Sequence, residues 1–224
     1  MRRPEFIARQ ASCPTGLLGR FLAWIMAAET AAVNEQALEL LAFTPDNHVL
    51  EVGFGHGRTL ARVATFVPTG FVAGVDVSEQ MLRVARRRNR QFIKEGRVEV
   101  QLADSARIPY PDGRFDRVYA IHTLYFWADP QEHLREIYRV MKKGARFVLG
   151  FGSKDDEQAV ANFPATIYRF YTSDEVRLLL EGAGFARVHM VHHRISSRSV
   201  VFGIAHREAS QDKALRKGDK CRHP

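Results

Sequence analysis

The most informative part of the sequence is Val49-Leu-Glu-Val-Gly-Phe-Gly-His-Gly57, where glycines occupy alternate positions after a short apolar run. This run predicts a buried strand that enters a tight turn, with a helix beginning near Gly57. Glycines at such a turn let a ligand approach the backbone closely, which favours a nucleotide-like ligand. The dinucleotide fingerprint is not met, because its third glycine would stand at Arg58. No Gly-Lys-Ser/Thr follows, so a phosphate-binding P-loop is excluded as well.

Strands and helices alternate on the carboxyl side of this turn. Apolar and β-branched runs predict strands at 70–76, 97–102, 115–121 and 145–150, and helical patterns predict helices at 78–95 and about 130–142. Ser78 and Thr172 stand at N-cap positions, and the second opens a helix that ends at Gly182 or Gly184. Segments 185–192 and 199–206 are close enough to pair as an antiparallel hairpin. The alternation predicts an α/β fold, a doubly wound Rossmann-like sheet that is mostly parallel, with helices on both faces.

Four segments, in order along the chain, resemble the class I methyltransferases that use S-adenosylmethionine. The turn has the pattern acidic-x-Gly-x-Gly-x-Gly from Glu51, Asp76 ends the second strand, and Asp104 lies in the matching stretch 102–116. Segments 115–127 and 134–144 are similar to the ubiquinone/menaquinone-biosynthesis-like (type 11) subgroup. The similarity covers about 44–150, with weaker agreement through 183–185. It implies a seven-stranded sheet and S-adenosylmethionine as the cofactor. Lys143, where the subgroup commonly has proline, and His56 inside the turn depart from the pattern.

The resemblance implies a role for each residue at the carboxyl ends of the strands. The backbone near Gly53 and Gly55 would contact the methionine part, while Asp76 and Asp104 would hold the ribose hydroxyls and the adenine amino group. Two carboxylate oxygens suit two neighbouring hydroxyl donors. Glu51 either reaches the amino group of the ligand or caps local amides. The implied cofactor-binding residues are Glu51, Gly53, Gly55, Gly57, Asp76, Val77, Met81, Asp104, Ser105 and His122, with Val77 and Met81 packing on the adenine and Ser105 contributing its amide.

Candidate catalytic and acceptor-binding residues follow the fourth strand. His122 is the candidate general base, since a histidine can accept a proton near neutral pH; alternatively it contributes only its backbone to the cofactor site. Tyr125, Phe126 and Trp127 either line an apolar acceptor pocket or cover the sheet edge. The irregular segment after the fifth strand, which in relatives often closes over the substrate, carries Phe163, Tyr168, Phe170 and Tyr171.

Apolar residues at helical spacing predict two short helices between Gly16 and Phe43. Their apolar side chains either form a lid over the acceptor or pack against the domain. The sequence thus predicts a helical extension at 1–43, a methyltransferase domain at 44–206 and a flexible basic tail at 207–224. The lid candidates are Leu17, Leu18, Phe21, Trp24 and Ile25.

Motifs that the sequence lacks exclude some classes of methyl acceptor. An Asn/Asp-Pro-Pro-Tyr/Phe motif, typical of base amino methylation, is absent after the fourth strand. Cytosine C5 methylation needs a cysteine nucleophile, but Cys13 precedes the predicted domain and Cys221 lies in the tail. A small organic acceptor with an oxygen, nitrogen or carbon nucleophile is therefore the leading class.

Two alternatives remain open. A membrane-associated lipid or quinone acceptor is suggested by three arginines around the N-terminal apolar helix, which could meet anionic headgroups. A non-catalytic scaffold that binds nucleic acid would use the basic helix, although intact Asp76 and Asp104 argue against it. The sequence does not specify the oligomeric state. The basic residues concerned are Arg2, Arg3 and Arg9 for the membrane and Arg83, Arg86, Arg87, Arg88, Arg90 and Lys94 for nucleic acid.

Composition sets the outer limits of these interpretations. The chain has 224 residues, 46% of them hydrophobic and 26% charged, which is typical of one generous globular domain. The net charge of +8 permits anionic partners without identifying one. Two cysteines near opposite ends neither form a disulfide framework nor supply a four-ligand zinc site, so we expect a cytoplasmic protein without a metal.

Overall fold

The computed structural model describes residues 5–12, 16, 30–195 and 198–208, and these residues form one seven-stranded sheet with helices on both faces. The order across the sheet is β3-β2-β1-β4-β5-β7-β6. The strands are β1 His48–Val52, β2 Phe71–Asp76, β3 Val98–Leu102, β4 Phe115–Ile121, β5 Met141–Phe151, β6 Ala186–Ile195 and β7 Arg198–His206.

Strand pairing confirms the predicted topology. The first five strands pair in parallel, whereas β7 is antiparallel to both β5 and β6. The predicted hairpin is therefore present, and β7 inserts between β5 and the edge strand β6. Because β6 runs in the same direction as β1 to β5, the end of β6 lies at the same edge of the sheet as the carboxyl ends of those strands.

The helices connect the strands as the alternation predicts. The bounds are α1 Glu5–Ser12, α2 Ala31–Leu41, α3 Arg58–Phe66, α4 Glu79–Arg88, α5 Arg90–Lys94, α6 Pro130–Val140, α7 Glu157–Val160 and α8 Ser173–Gly182, with a 3-10 turn at Leu124–Phe126. Ser78 caps α4, and Thr172 with Glu175 forms a complete capping box on α8. No helix of the described segments is long and apolar enough to cross a membrane.

Apolar side chains cover the sheet on both faces. One buried cluster joins the sheet to α6 and α8, through residues such as Leu134, Ile137 and Leu180. The other joins it to α2, α3 and α4, through residues such as Leu38 and Leu60. Covering both faces excludes water from the sheet, so the polar chemistry is confined to the ends of the strands.

The region predicted as one helix from Ser78 to Glu95 is broken at Asn89. The Asn89 side chain is fully buried, and its amide donates to the carbonyl oxygens of Gly57 (2.9 Å) and Ala85 (2.9 Å). A buried amide satisfied by two carbonyls is costly to remove. Asn89 therefore separates α4 from α5 and fastens α4 to the glycine turn.

The N-terminal helices are described only in part. The predicted second helix is observed as α2, and α1 was not predicted. Ala8 of α1 is buried, Glu5 accepts a hydrogen bond from the Thr166 hydroxyl (2.9 Å), and the Gly16 carbonyl accepts one from Gln80 (2.6 Å). The five lid candidates and most of the predicted tail lie outside the described residues.

Candidate functional site

The glycine turn between β1 and α3 has a backbone that only glycine adopts easily. Gly53, Gly55 and Gly57 have φ of 78°, 53° and 69°, the left-handed region. A Cβ on Gly53 would overlap the Thr123 side chain, and one on Gly57 would lie 2.7 Å from the Ala85 Cβ. The predicted turn thus requires glycine for conformation and for close packing, and it presents backbone at the carboxyl end of β1.

Asp76 joins this turn to the end of β2. Its Oδ2 accepts from the Gly55 backbone N–H (2.8 Å), and its Oδ1 accepts from the Ser78 N–H (2.9 Å). Burial raises the pKa of Asp76, while these backbone N–H groups favour the carboxylate and oppose the rise. The Val77 N–H also favours the carboxylate form of Asp76. A carboxylate has about four lone-pair sites, so Asp76 is oriented in advance and can still accept from a hydroxyl donor.

Two exposed apolar side chains stand beside Asp76. Val77 is 52% exposed, and Leu102, which is in register with Asp76 at the end of β3, is 46% exposed. Apolar side chains at adjacent strand ends provide a surface for a flat ring. The sequence interpretation missed Leu102; the available signal was its place at the end of a strand directly before the Asp104 segment.

The prediction that Met81 packs on the adenine is not supported by the position of its side chain. Met81 is 2% exposed and belongs to the core cluster between the sheet and α4. It lies three residues after the N-cap Ser78, on the face of α4 that packs against the sheet. Val77 and Leu102 remain as the exposed apolar residues of this part of the edge.

The Asp104 segment packs on the stacked rings of His133 and Trp127. Asp104 is exposed and its Oδ1 accepts from the Ala106 N–H (2.9 Å). The adjacent Ser105 is buried, and its hydroxyl lies 2.8 Å from Nδ1 of His133. Burial lowers the pKa of His133, whose ring stacks on Trp127 at 4.9 Å. Trp127 is buried in this stack, and this position fits the covering role of the two considered for it.

Glu51 lies under the turn as a buried carboxyl group. It is 6% exposed, and it is in register with Gly74 and Tyr119 on the neighbouring strands. Burial raises its pKa well above the usual range; the Tyr119 hydroxyl opposes this rise and the charge of Asp76 adds to it. Among the described residues, no group hydrogen-bonds to its Oε2. An unpaired buried carboxylate oxygen at this position fits an ammonium group, such as that of a methionine moiety.

His122 directly follows β4 and has an unusual backbone conformation. Its φ is 57°, and its backbone N–H donates to the Gly150 carbonyl (2.8 Å). Its Nδ1 lies 3.0 Å from the Tyr125 hydroxyl, which also accepts a hydrogen bond from the Gly152 N–H. Loop segment 152–172 is thereby connected to the end of β4.

Aromatic rings surround Tyr125 on the side of that loop. Phe126 contacts Tyr125 edge to face at 6.0 Å, and Phe170 lies 4.8 Å from Tyr125. Phe163 and Tyr168 complete a five-ring cluster. Tyr171, also expected near the substrate, is buried beneath Arg169 instead. The structure thus brings His122, Tyr125 and Phe126 together with three of the four loop aromatics.

The carboxyl edge contains both groups of predicted residues. Glu51, the glycine turn, Asp76, Val77 and the Asp104 segment lie at the ends of β1, β2 and β3, and the His122 group lies at the ends of β4 and β5. Ligands of open α/β sheets bind at this edge, and here polar groups lie on one side of it and an aromatic cluster on the other.

Comparison with known proteins gives a consistent picture. The methyltransferase domain family (type 11) matches residues 50–149. A demethylmenaquinone methyltransferase of Symbiobacterium thermophilum is 40% identical over 113 residues, which are 50% of this chain and 45% of the relative. An uncharacterized methyltransferase of Bacillus subtilis is 31% identical over 126 residues, 56% of this chain and 67% of the relative.

Solved structures agree with the fold. A SAM-dependent methyltransferase from Aquifex aeolicus superposes with a TM-score of 0.65 at 26% identity, covering 78% of this chain and 89% of its own. The chain spans about half to two thirds of the length of the first curated relatives that it matches.

Proposed function

Since the chain belongs to the S-adenosylmethionine-dependent methyltransferases, we propose that it transfers the methyl group of this cofactor to a small organic acceptor with an oxygen, nitrogen or carbon nucleophile. The observation that carries the proposal is Asp76. Its carboxylate is fixed by the Gly55 and Ser78 amides at the strand edge where the glycine turn and the Asp104 segment also end.

Different residues of the carboxyl edge bind different parts of the cofactor. Asp76 holds the ribose hydroxyls, Val77 and Leu102 contact the adenine, and Asp104 accepts from the adenine amino group. Ser105 contributes its backbone amide, and His133 keeps the Ser105 hydroxyl in place beneath. Glu51 accepts from the ammonium group, which compensates for the burial of its carboxylate.

When bound, S-adenosylmethionine supplies a methyl group already activated by a positively charged sulfur. The protein therefore needs mainly to orient a nucleophile in line with that carbon and to keep water away. Gly53 allows the backbone to lie against Thr123 at the end of β4, next to His122. The aromatic cluster around Tyr125 gives the acceptor side an apolar character, which suits aromatic or quinone-like acceptors.

The proposal is tested by incubating the protein with methyl-labelled S-adenosylmethionine and a panel of apolar phenols, quinols and phospholipids. We expect label in at least one acceptor, with stoichiometric formation of S-adenosylhomocysteine. Asp76→Ala should abolish transfer, whereas Asp112→Ala, at an exposed ion pair with Arg139, should not. Saturable binding of the cofactor without transfer to any acceptor would contradict the proposal and favour a non-catalytic scaffold.

A further inference from the structure

The turn that follows β3 is held by α6 at two points. Asp104, which the proposed function places against the adenine amino group, lies in this turn with its side chain 62% exposed. Ser105 and Ile108 are the buried residues of the turn. Each of them contacts one side chain of α6, and these two side chains, His133 and Glu136, lie three positions apart on one face of the helix. The position of the Asp104 carboxylate therefore depends on how α6 holds the turn.

Glu136 and Arg139 together satisfy the backbone of Ile108. Glu136 Oε1 accepts from the Ile108 N–H (2.8 Å), and Arg139 Nη2 donates to the Ile108 carbonyl (3.0 Å). The guanidinium also donates to both carboxylate oxygens of Glu136, at 2.8 Å in each case. These hydrogen bonds lower the pKa of Glu136, so the group is ionised near neutral pH. A two-pronged pair of this kind fixes the orientation of the carboxylate that receives the Ile108 N–H.

The turn presents a hydrogen-bond acceptor and a donor in consecutive residues. The Asp104 carboxylate can only accept, and the Ser105 N–H, which donates to no described residue, can only donate. Adenine carries a donor, its 6-amino group, beside an acceptor, N1. Hypoxanthine carries the reverse, a 6-oxo acceptor beside an N1–H donor. Against this turn, hypoxanthine would leave the polar groups of both partners unpaired, which makes its binding unfavourable.

This selection requires a turn that does not shift. In the proposed function the ribose and the adenine ring are located by Asp76, Val77 and Leu102, at the ends of β2 and β3. The turn can therefore distinguish the two purines only if its acceptor and its donor keep their places relative to those strand ends. A turn released from α6 could move until either purine is tolerated.

We propose that Glu136 is a positioning residue for cofactor specificity: by holding the Ile108 backbone, it keeps the turn of Asp104 and Ser105 where it accepts a 6-aminopurine and rejects a 6-oxopurine. This inference rests on the proposed function, in which Asp104 accepts from the adenine amino group, and it adds the residue on which selection of the base depends. Glu136 acts through Ile108 rather than by contact with the ligand.

Two variants separate this role from a purely structural one. Glu136→Gln keeps an oxygen that reaches the Ile108 N–H, but it loses the charge that pairs with Arg139. Glu136→Asp keeps the charge, but its carboxylate is one carbon shorter and is withdrawn from the Ile108 N–H. A structural role depends on the charge of the ion pair, whereas a positioning role depends on the reach to Ile108.

The probes are S-adenosylhomocysteine and S-inosylhomocysteine, which differ at the purine edge described above, titrated into the full chain by calorimetry. We expect the unaltered protein to prefer the first by about tenfold or more. Glu136→Asp should reduce this preference by about fivefold or more, while Glu136→Gln should keep it within about twofold. Asp112→Ala is the matched control, because Asp112 pairs with the same Arg139 at an exposed position, and it should also keep the preference.

Urea unfolding of the same variants excludes a general loss of stability. Glu136→Gln should be destabilised at least as much as Glu136→Asp, so a preference lost in Glu136→Asp alone follows reach and not stability. Equal preferences in these two variants, or equal binding of both probes by the unaltered protein, would overturn the inference. Neither probe carries a transferable methyl group, so the result does not depend on methyl transfer. Transfer by a protein whose preference is the same in Glu136→Asp would retain the proposed function and reject this inference.

Discussion

The two halves of the carboxyl edge are built in different ways. The half that we propose binds the cofactor is called the cofactor half and consists of Gly53 to Gly57, Asp76 to Ser78 and Leu102 to Ser105. It depends on backbone conformation and on carboxylates held by backbone amides. The half that we propose binds the acceptor is called the acceptor half and consists of His122 to Phe126 and the loop 152–172. It depends on aromatic side chains that contact one another across long sequence separations. The first half suits a ligand that is the same throughout the family. In the second half, substitution of a few side chains can change which ligand is bound.

The largest difference between the halves is expected for Gly53→Ala. The added Cβ would overlap the Thr123 side chain. The alanine would also have to keep the left-handed φ of Gly53, which costs about 1 to 2 kcal/mol by itself. We expect the affinity for S-adenosylmethionine, measured by calorimetry, to fall at least tenfold. Gly96→Ala is the matched control, because Gly96 has a φ of 71° and no atom within 4 Å of the added Cβ. Equal affinities in these two variants would contradict the role given to the turn.

A smaller and different effect is expected for Phe170→Leu in the acceptor half. Phe170 packs on Tyr125, Phe163 and Tyr168, and the loss of these ring contacts should lower the free energy of unfolding by about 1 to 2 kcal/mol. Affinity for S-adenosylmethionine should stay within twofold, while the rate of methyl transfer falls. Urea unfolding, calorimetry and the transfer assay measure the three quantities. A loss of cofactor affinity as large as that of Gly53→Ala would show that the halves are not separable.

The smallest effect is a change in pH dependence in Glu51→Gln. Burial raises the pKa of Glu51, so the folded protein holds this proton more tightly than the unfolded chain, where the pKa is about 4.3. The stability that this provides is complete below about pH 4.3 and is lost as the pH rises through the raised pKa. The free energy of unfolding of Glu51→Gln should therefore decline less with rising pH. Some decline should remain, because the pKa of Asp76 is also raised.

This prediction is checked by urea unfolding at several pH values from 5 to 8. Glu99→Gln, on the exposed side of β3, serves as the control and should keep the slope of the unaltered protein. An unchanged slope in Glu51→Gln would mean that Glu51 is ionised in the folded protein without its ligand. Weaker binding of S-adenosylmethionine by Glu51→Gln would support a contact between this buried carboxyl group and the ammonium group of the ligand.

The glycine turn and the acidic residues at the strand ends could be predicted from the sequence more completely than the contacts of the aromatic cluster, for a physical reason. Glycines that need a positive φ, and acidic residues at strand ends, are local signals that do not depend on distant contacts. The topology also followed from local patterns, including the caps at Ser78 and Thr172. Leu102 was missed because its exposure arises only where β3 ends beside Asp76.

The contacts of the acceptor half could be identified only in the folded structure. Tyr125 joins His122 to Gly152, which lies 27 residues further along the chain. The stacking of Trp127 on His133 depends on the path of the chain between the 3-10 turn and α6. The break at Asn89 also needed the folded chain, since its buried side chain donates to the Gly57 carbonyl 32 residues earlier in the sequence. Met81 was assigned to the adenine because its helix was known but the face of the helix was not.

The most direct test of the account is the titration of S-adenosylmethionine into the protein and into Asp76→Ala by isothermal calorimetry, with Asp112→Ala as a control. We expect one saturable site in the unaltered protein and in the control. The affinity should be at least tenfold weaker in Asp76→Ala, because the carboxylate that accepts from the ribose and the anchor of Gly55 are removed together. Undiminished affinity in Asp76→Ala, or no saturable binding to the unaltered protein, would contradict it.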